Sequence, residues 1–150
     1  MRMALEEAQA AAADGEAPVG AVIVDPVTGE VVARGRNAPI SGHDPTAHAE
    51  VRAIRAAAAA RENYRLTGLH LYVTLEPCPM CAGAISHARL GRVVFGADDP
   101  KGGGVLHGAR VFDHPQCHWR PGVTGGVLAE ESAALLRDFF RARRGARPGA

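Results

Sequence analysis

Hydrophobic and polar positions change their period several times along the chain, and these changes predict alternating helices and strands. Residues 2–13 are rich in helix formers, and Asp14-Gly15 supplies a stop because glycine takes the left-handed conformation at low cost. The β-branched runs at residues 19–24 and 31–36 are joined by "DPVTGE", whose proline and glycine favour a turn. The chain is therefore predicted to begin with a helix and a β-hairpin.

The stretch "HDPTAHAEVRAIRAAAAAR" predicts a second helix that ends at about Arg61. Asp44 is suited to its N-cap and Pro45 to its first position, where the missing N–H of proline removes no bond. Residues 69–75 alternate and predict a third strand, and the prolines of "PCPMCAGAISHAR" are tolerated only in the first turn of a following helix. This pattern places Cys78 and Cys81 at a helix N-terminus.

The last third of the chain is predicted to contain two more strands and a helix. "RVVFGA" predicts a fourth strand, residues 101–122 a long irregular connection, "GVTGGVLA" a weak fifth strand, and "EESAALLRDFFRARR" the final helix. Strands that alternate with helices after a hairpin predict an α/β fold in which helices cover both faces of a mixed sheet. A chain of 150 residues without internal repeats fits one domain, residues 1–150.

Composition narrows the cellular setting and the partners. Apolar residues make up 47% and charged residues 22% of the chain, which is typical of globular proteins and makes disorder unexpected. Apolar runs stay well below the ~20 residues of a membrane span, and acids stand where a signal peptide would be apolar, so a cytoplasmic protein without membrane contact is predicted. With a net charge of +1, any binding of nucleic acid must depend on a local patch.

The candidate chemistry lies in one histidine, one glutamate and a cysteine pair. A Cys-x-x-Cys pair at a helix start lets Cys78 and Cys81 converge on one ion, and the positive helix end favours the thiolates that zinc needs. If the helix carrying His48 packs beside it, three ligands result, and zinc keeps the open position for water that defines a catalytic site. Glu50 is not needed as a ligand, so it is predicted to carry the proton.

Two other interpretations account for part of this pattern. Cys78 and Cys81 are spaced like a redox pair in an α/β fold, although that interpretation leaves His48 and Glu50 without a role. A structural zinc would instead be closed by a fourth protein ligand. The candidates for that fourth ligand are His70, His87, Cys117 and His118.

The motifs "HAE", "TLEPCPMCAGA", "PVGAVIV", "NAPI" and "HDPTAHAE" resemble those of the bacterial tRNA-specific adenosine deaminases of the cytidine deaminase superfamily. The resemblance runs from about residue 4 to residue 144. It implies a cytidine-deaminase-like three-layer α/β/α fold with a five-stranded mixed sheet, and a homodimer that converts adenosine to inosine at the wobble position of a tRNA anticodon. It also implies one Zn²⁺ per subunit held by His48, Cys78 and Cys81, with Glu50 moving the proton.

Candidate substrate contacts surround this implied site. The resemblance implies that Asn37 and the backbone around Ala49 hold the base. The last helix offers phenylalanines for packing or stacking and arginines for phosphates, a combination suited to the single-stranded loop of an anticodon stem-loop. "GGG" at residues 102–104 predicts a flexible loop near the site. The remaining predicted substrate contacts are Val19, His43, Asp99, Lys101, Phe140, Arg141 and Arg144.

Two other functions use the same motifs. A deaminase of a free nucleobase or nucleoside (guanine, cytosine or cytidine) shares the zinc chemistry, and the aromatic and basic last helix distinguishes it from an enzyme acting on RNA. A zinc-stabilised RNA-binding module without catalysis would not need Glu50. The three functions differ in whether ammonia is released, and from which substrate.

Overall fold

A computed structural model describes residues 1–146, whose five strands form one mixed sheet. The strands are β1 (Gly20–Val24), β2 (Val31–Arg36), β3 (His70–Leu75), β4 (Arg92–Ala97) and β5 (Gly122–Thr124), in the spatial order β2-β1-β3-β4-β5. β1 runs antiparallel to both of its neighbours, whereas β3, β4 and β5 are parallel to one another. The carboxyl ends of β3 and β4 therefore meet at one edge of the sheet, where α/β proteins commonly bind their ligands.

Four helices cover the two faces of this sheet within residues 1–146. They are α1 (Arg2–Ala13), α2 (Ala49–Arg61), α3 (Pro79–Ala88) and α4 (Ala129–Gly145). α1 and α4 contact each other on one face, and α2 and α3 contact each other on the other face. The predicted three-layer α/β/α fold with a five-stranded mixed sheet is confirmed. No helix in this part of the chain combines the length and the apolar character that a bilayer span requires.

Small residues let the helices pack closely on the strands. A Cβ atom on Gly20 of β1 would lie 2.5 Å from the backbone nitrogen of Ala8 in α1. On the opposite face, a Cβ atom on Gly35 of β2 would lie 2.7 Å from the nitrogen of Ala53 in α2. Ala49, Ala53 and Ala57 are the alanines of α2 that are buried against the sheet. The fully buried large side chains of the strands are Val22, Ile23, Leu71, Val73, Thr74, Val93 and Phe95.

The predicted start of the second helix is wrong by four residues. α2 begins at Ala49, with His48 as its N-cap residue, and not at Pro45. The Asp44 carboxylate accepts hydrogen bonds from the N–H and the hydroxyl of Thr46, at 2.9 and 2.7 Å, and so forms a local turn instead of a helix cap. The first N–H of α2, that of Ala49, is bound by the side chain of Asn37 at 2.8 Å. A side chain twelve positions earlier thus decides where α2 begins.

Candidate metal centre and active site

The N-termini of α2 and α3 bring the candidate metal ligands together. His48 is the N-cap residue of α2, Cys78 is the N-cap residue of α3, and Cys81 lies in the first turn of α3. Pro79 occupies the first position of α3, where a proline costs no hydrogen bond. Because α2 and α3 lie side by side on one face of the sheet, side chains 30 and 33 positions apart in the chain meet.

The three side chains have the spacing of ligands on a tetrahedral zinc ion. His48 Nδ1 lies 3.6 Å from Cys78 Sγ and 3.4 Å from Cys81 Sγ. Ligands at about 2.3 Å (sulfur) and about 2.0 Å (nitrogen) from a tetrahedral zinc are themselves about 3.5–3.8 Å apart. Two sulfurs and one imidazole are also the donor types that zinc prefers. Within residues 1–146, no fourth histidine, cysteine or carboxylate joins this group, which we call the metal centre.

Hydrogen bonding within the metal centre prepares one thiol for metal binding. The hydrogen bond with Cys81 lowers the pKa of Cys78 to about 4, and His48 acts in the same direction. The same contact with Cys78, together with burial, raises the pKa of Cys81. The hydrogen bond with Cys78 also raises the pKa of His48. Cys78 is therefore a thiolate at neutral pH, which is the form that binds a metal.

Glu50 lies in the first turn of α2, next to the metal centre. Its side chain is buried, with 4% of the residue exposed, and this burial raises the pKa of Glu50 to about 6. Its carboxyl group interacts with the Cys81 thiol and with the charges of Cys78 and His48. A carboxyl group with a pKa near the working pH can both take and return a proton. Glu50 is not a member of the three-residue group itself.

The four residues considered as a fourth zinc ligand lie elsewhere. The Cys117 thiol donates a hydrogen bond to the carbonyl of Trp119 at 3.1 Å and lies 3.5 Å from the hydroxyl of Ser86. His87 and His118 line a separate cavity of about 460 Å³ together with Cys117. His70 is the first residue of β3, at the opposite end of the strand from Cys78. Among the described residues, the metal centre therefore keeps only three candidate ligands.

Asn37 connects the edge of the site to the core. Its side-chain oxygen accepts the hydrogen bond from Ala49, so this N–H of Ala49 is already used. The N–H of Asn37 binds the carbonyl of Val19 at 3.1 Å. The side chain of Val19 belongs to the hydrophobic core. The hydrogen bonds among Asn37, Ala49 and Val19 therefore do not use the side-chain NH₂ group of Asn37.

The other predicted substrate contacts lie on three separate segments. His43 follows β2 on an exposed loop, and its φ of 49° is left-handed. Asp99 accepts hydrogen bonds from the N–H groups of Lys101 and Gly102, and Lys101 is exposed. On α4, the exposed predicted contacts are Phe140, Arg141 and Arg144. Of these segments, the one with Asp99 and Lys101 continues into Gly104, whose N–H binds the carbonyl of Pro77 directly before Cys78.

Two buried carboxylates that the sequence did not single out hold the loops beside the metal centre. Glu16 is 1% exposed and accepts hydrogen bonds from the N–H groups of Ile40 and Ser41 and from the Ser41 hydroxyl. Glu76 is 2% exposed and binds residues 99–107, which we call the rim loop. Glu76 stands directly before Pro77 and Cys78, and this position in the motif could have indicated a role near the site. Glu16 follows a helix and a glycine, where an exposed acidic residue is common, so its sequence position gives no such indication.

The rim loop is packed, which differs from the flexible loop predicted for its glycines. Gly103 and Gly104 are buried, and the N–H of Gly104 binds the carbonyl of Pro77 at 2.8 Å. A Cβ atom on Gly104 would lie 2.6 Å from the nitrogen of Pro79. A glycine is needed at position 104 because the loop presses against the start of α3, and at position 103 because a Cβ atom there would collide with the Glu76 carboxylate.

Several known proteins with similar sequences and structures are deaminases. The model of the cytidine and deoxycytidylate deaminase zinc-binding region matches residues 1–97. A tRNA-specific adenosine deaminase of Agrobacterium fabrum is 51% identical over 144 residues, which cover 96% of this chain and 93% of that protein. A structure solved in a study of A-to-I editing by tRNA:A34 deaminases at the wobble position superimposes with a TM-score of 0.88, at 50% identity, over 91% of this chain and 97% of the other.

A guanine deaminase from Bacillus subtilis is a more distant structural relative. It superimposes with a TM-score of 0.65, at 31% identity, over 99% of this chain and 94% of the other. The fold and the metal centre thus define a protein of the zinc-dependent deaminase class. The chain belongs to the cytidine and deoxycytidylate deaminase family, among its tRNA-specific adenosine deaminases.

Proposed function

We propose that this protein, as a single deaminase domain, converts adenosine to inosine by hydrolysis at the wobble position of a tRNA anticodon. One observation carries the proposal: a buried Glu50 adjoins the group of His48, Cys78 and Cys81 in a chain half identical to a tRNA-specific adenosine deaminase. The structure studied for A-to-I editing supports the same substrate class.

His48, Cys78 and Cys81 would hold one Zn²⁺ per subunit. The fit rests on the two distances of 3.4 and 3.6 Å and on the donor types. When bound, zinc lowers the pKa of a coordinated water to about 7 and so supplies the nucleophile at neutral pH. The N-terminus of α3, with its unpaired N–H groups, stabilises negative charge on Cys78 and Cys81.

Glu50 would move the proton during the reaction. Its carboxylate takes a proton from the attacking water and delivers it to N1 of adenine as the water oxygen bonds to C6. A second proton transfer to the exocyclic amino group breaks the C6–N bond, so that one water is consumed and ammonia leaves with inosine as the product. The buried position of Glu50 keeps its pKa near 6, which allows both transfers close to neutral pH.

Asn37 would orient the base. Because the Ala49 N–H must face an acceptor, the carbonyl oxygen of the Asn37 side chain points to Ala49. Its NH₂ group is then the donor available to an acceptor atom on the adenine. In this proposal Ala49 and Val19 act through their backbone groups, by holding Asn37 in place, and the side chain of Val19 does not touch the base.

The anticodon stem-loop would be held by a local surface, as a net charge of +1 requires. A base in a stacked helix cannot reach the metal centre, so the target nucleotide must come from a loop, where unstacking costs least. Phe140, Arg141 and Arg144 would bind bases and phosphates, and His43, Asp99 and Lys101 would contact the nucleotides nearest the site. The family resemblance also supports a homodimer in the cytoplasm.

The deciding experiment compares substrates. Ammonia and inosine are measured with an anticodon stem-loop and with free adenosine, cytidine, cytosine and guanine, using zinc-loaded protein. We expect that, of these substrates, only the stem-loop is deaminated. Release of ammonia from guanine alone would favour the second candidate function, a guanine deaminase, which the 31% identical Bacillus subtilis relative makes worth testing. RNA binding without any ammonia would favour the non-catalytic module.

A further inference from the structure

Glu76 is a buried carboxylate at the end of β3, directly before Pro77 and the N-cap residue Cys78. Its side chain has no exposed surface. Burial of a carboxylate is strongly unfavourable unless hydrogen bonds replace the lost water. The partners of Glu76 therefore indicate what this position does for the protein.

All five hydrogen bonds recorded for the Glu76 carboxylate come from the rim loop. Oε2 accepts the N–H groups of Val105, Leu106 and His107 at 3.2, 3.0 and 3.0 Å. Oε1 accepts the N–H of Asp99 at 3.1 Å and lies 2.7 Å from Nδ1 of His107. A single side chain thus holds both ends of the loop, which begins at Asp99 and ends at His107.

The rim loop also contacts the backbone that presents the metal centre. The N–H of Gly104 binds the carbonyl of Pro77, and a Cβ atom on Gly104 would lie 2.9 Å from the carbonyl carbon of Cys78. A Cβ atom on Gly103 would collide with the Glu76 carboxylate itself. The loop therefore packs tightly between Glu76 and the start of α3, and a methyl group added at Gly103 or Gly104 would not fit.

A second metal site at this carboxylate is excluded by its hydrogen bonds. Ligand atoms of Glu76, Asp98 and His107 lie within 4.8 Å of one another, as they would around a cation. A carboxylate has about four lone-pair sites, and five donors already point at this one. No lone pair is left for a metal ion, so the cluster serves to hold the loop.

We propose that Glu76 is a positioning residue, which holds the rim loop in the one arrangement where Asp99 and Lys101 meet the RNA beside the metal centre. This inference rests on the proposed function, since it assigns Asp99 and Lys101 to the substrate. Glu76 itself touches neither the metal nor the base. It acts on binding through the loop, and His107 assists it as the side-chain donor of the cluster.

The test is Glu76→Gln, which keeps the shape of the side chain but turns an NH₂ group toward backbone donors. We expect the KM for the anticodon stem-loop to rise about tenfold or more, because buried N–H groups lose their acceptor. We expect kcat to stay within about threefold and zinc content to stay at one per subunit, because the transition-state contacts are intact. Amide hydrogen exchange should become faster at residues 99–107 and unchanged in α2.

His107→Ala provides a milder variant in case Glu76→Gln does not fold. It removes one of the five donors at a half-buried position, so a KM increase of about two- to fivefold is expected, again with little change in kcat. Glu30→Gln is the matched control. Glu30 is exposed and precedes β2, whereas Asn37 follows β2, so Glu30 lies at the end of the strand away from the site. It should change neither KM nor amide exchange.

Three outcomes would overturn the proposal. Loss of zinc together with a fall in kcat would place Glu76 in the metal centre. Unchanged amide exchange of residues 99–107 would show that Glu76 does not hold the loop. Faster exchange with an unchanged KM would show that the loop does not position the substrate. If the wild type deaminates another substrate, the proposed function fails separately. The KM for that substrate and the exchange of residues 99–107 then still test Glu76.

Discussion

The metal centre and the loops around it are held in place by different kinds of contact. His48, Cys78 and Cys81 stand at the starts of two helices packed side by side, and their atoms meet at 3.4 to 3.6 Å. The loops beside them have no regular structure, and each is held by hydrogen bonds to one buried carboxylate, Glu16 or Glu76. Regular elements thus place the candidate metal ligands, whereas a few hydrogen bonds to loop backbone hold the segments that we propose for substrate recognition.

The strongest test of the metal centre is His48→Ala. With only Cys78 and Cys81 left as ligands, we expect the protein to lose its zinc at micromolar metal concentrations and to show no detectable deamination. Metal content after dialysis and ammonia release are the measurements. Cys117→Ser is the control and should retain both zinc and activity. Loss of zinc from Cys117→Ser would contradict a centre with three protein ligands.

Glu50→Gln separates chemistry from metal binding within the same centre. The amide keeps the size of the side chain but cannot carry the proton, so we expect kcat to fall by about 10²- to 10⁴-fold or more while zinc content is unchanged. The kcat is measured at saturating stem-loop concentration, and the zinc content of the same protein is measured in parallel. A zinc-replete variant that turns over at the wild-type rate would refute the assignment of Glu50.

The arginines of α4 test whether recognition can be separated from stability. Arg141 and Arg144 are exposed, whereas the guanidinium of Arg143 lies 4.8 Å from the centre of the Phe139 ring and donates a hydrogen bond to the carbonyl of Gly15. We expect Arg141→Ala and Arg144→Ala each to reduce the slope of log K against log salt by about 0.7.

Arg143→Ala should lower the urea midpoint of unfolding and leave that slope unchanged. RNA binding at several salt concentrations and urea unfolding distinguish the two effects. If Arg143→Ala changed the salt slope as much as Arg141→Ala, Arg143 would also contact RNA, and the separation of recognition from stability on α4 would be wrong.

The smallest expected effect concerns the loop held by Glu16. Burial would raise the pKa of Glu16, but hydrogen bonds from Ser41 and Ile40, and the charge of Arg143, hold it below its usual value. A carboxyl group with a lower pKa in the folded state stabilises the fold above its unfolded pKa of about 4.3, and this contribution is lost as the pH falls through the folded value.

Wild type and Glu16→Gln should therefore differ most in free energy of unfolding at pH 7 and converge as the solution becomes acidic. Urea unfolding of both proteins at a series of pH values checks this. A difference that stayed constant with pH would show that the charge on Glu16 does not matter for stability.

Most of the fold could be predicted because its signals are local. The strands predicted at residues 19–24, 31–36 and 69–75 differ from β1, β2 and β3 by one residue at most, since β-branched alternation and turn residues act over a few positions. The start of α2 could not be predicted in this way. Asp44 and Pro45 carry the usual signals of a helix start, but Asn37 overrides them from another segment.

Within the site, local sequence signals were enough to select the residues of the metal centre and to place them near helix starts. Prolines on either side of Cys78 mark the start of α3, whereas Asp44 and Pro45 placed His48 and Glu50 in a first helical turn although α2 begins only at Ala49. The burial of Glu16 and Glu76 follows from tertiary packing, as do their hydrogen bonds to loops between 23 and 31 positions away. Hydrogen bonds over such separations depend on how layers pack, and no local pattern of residues records that.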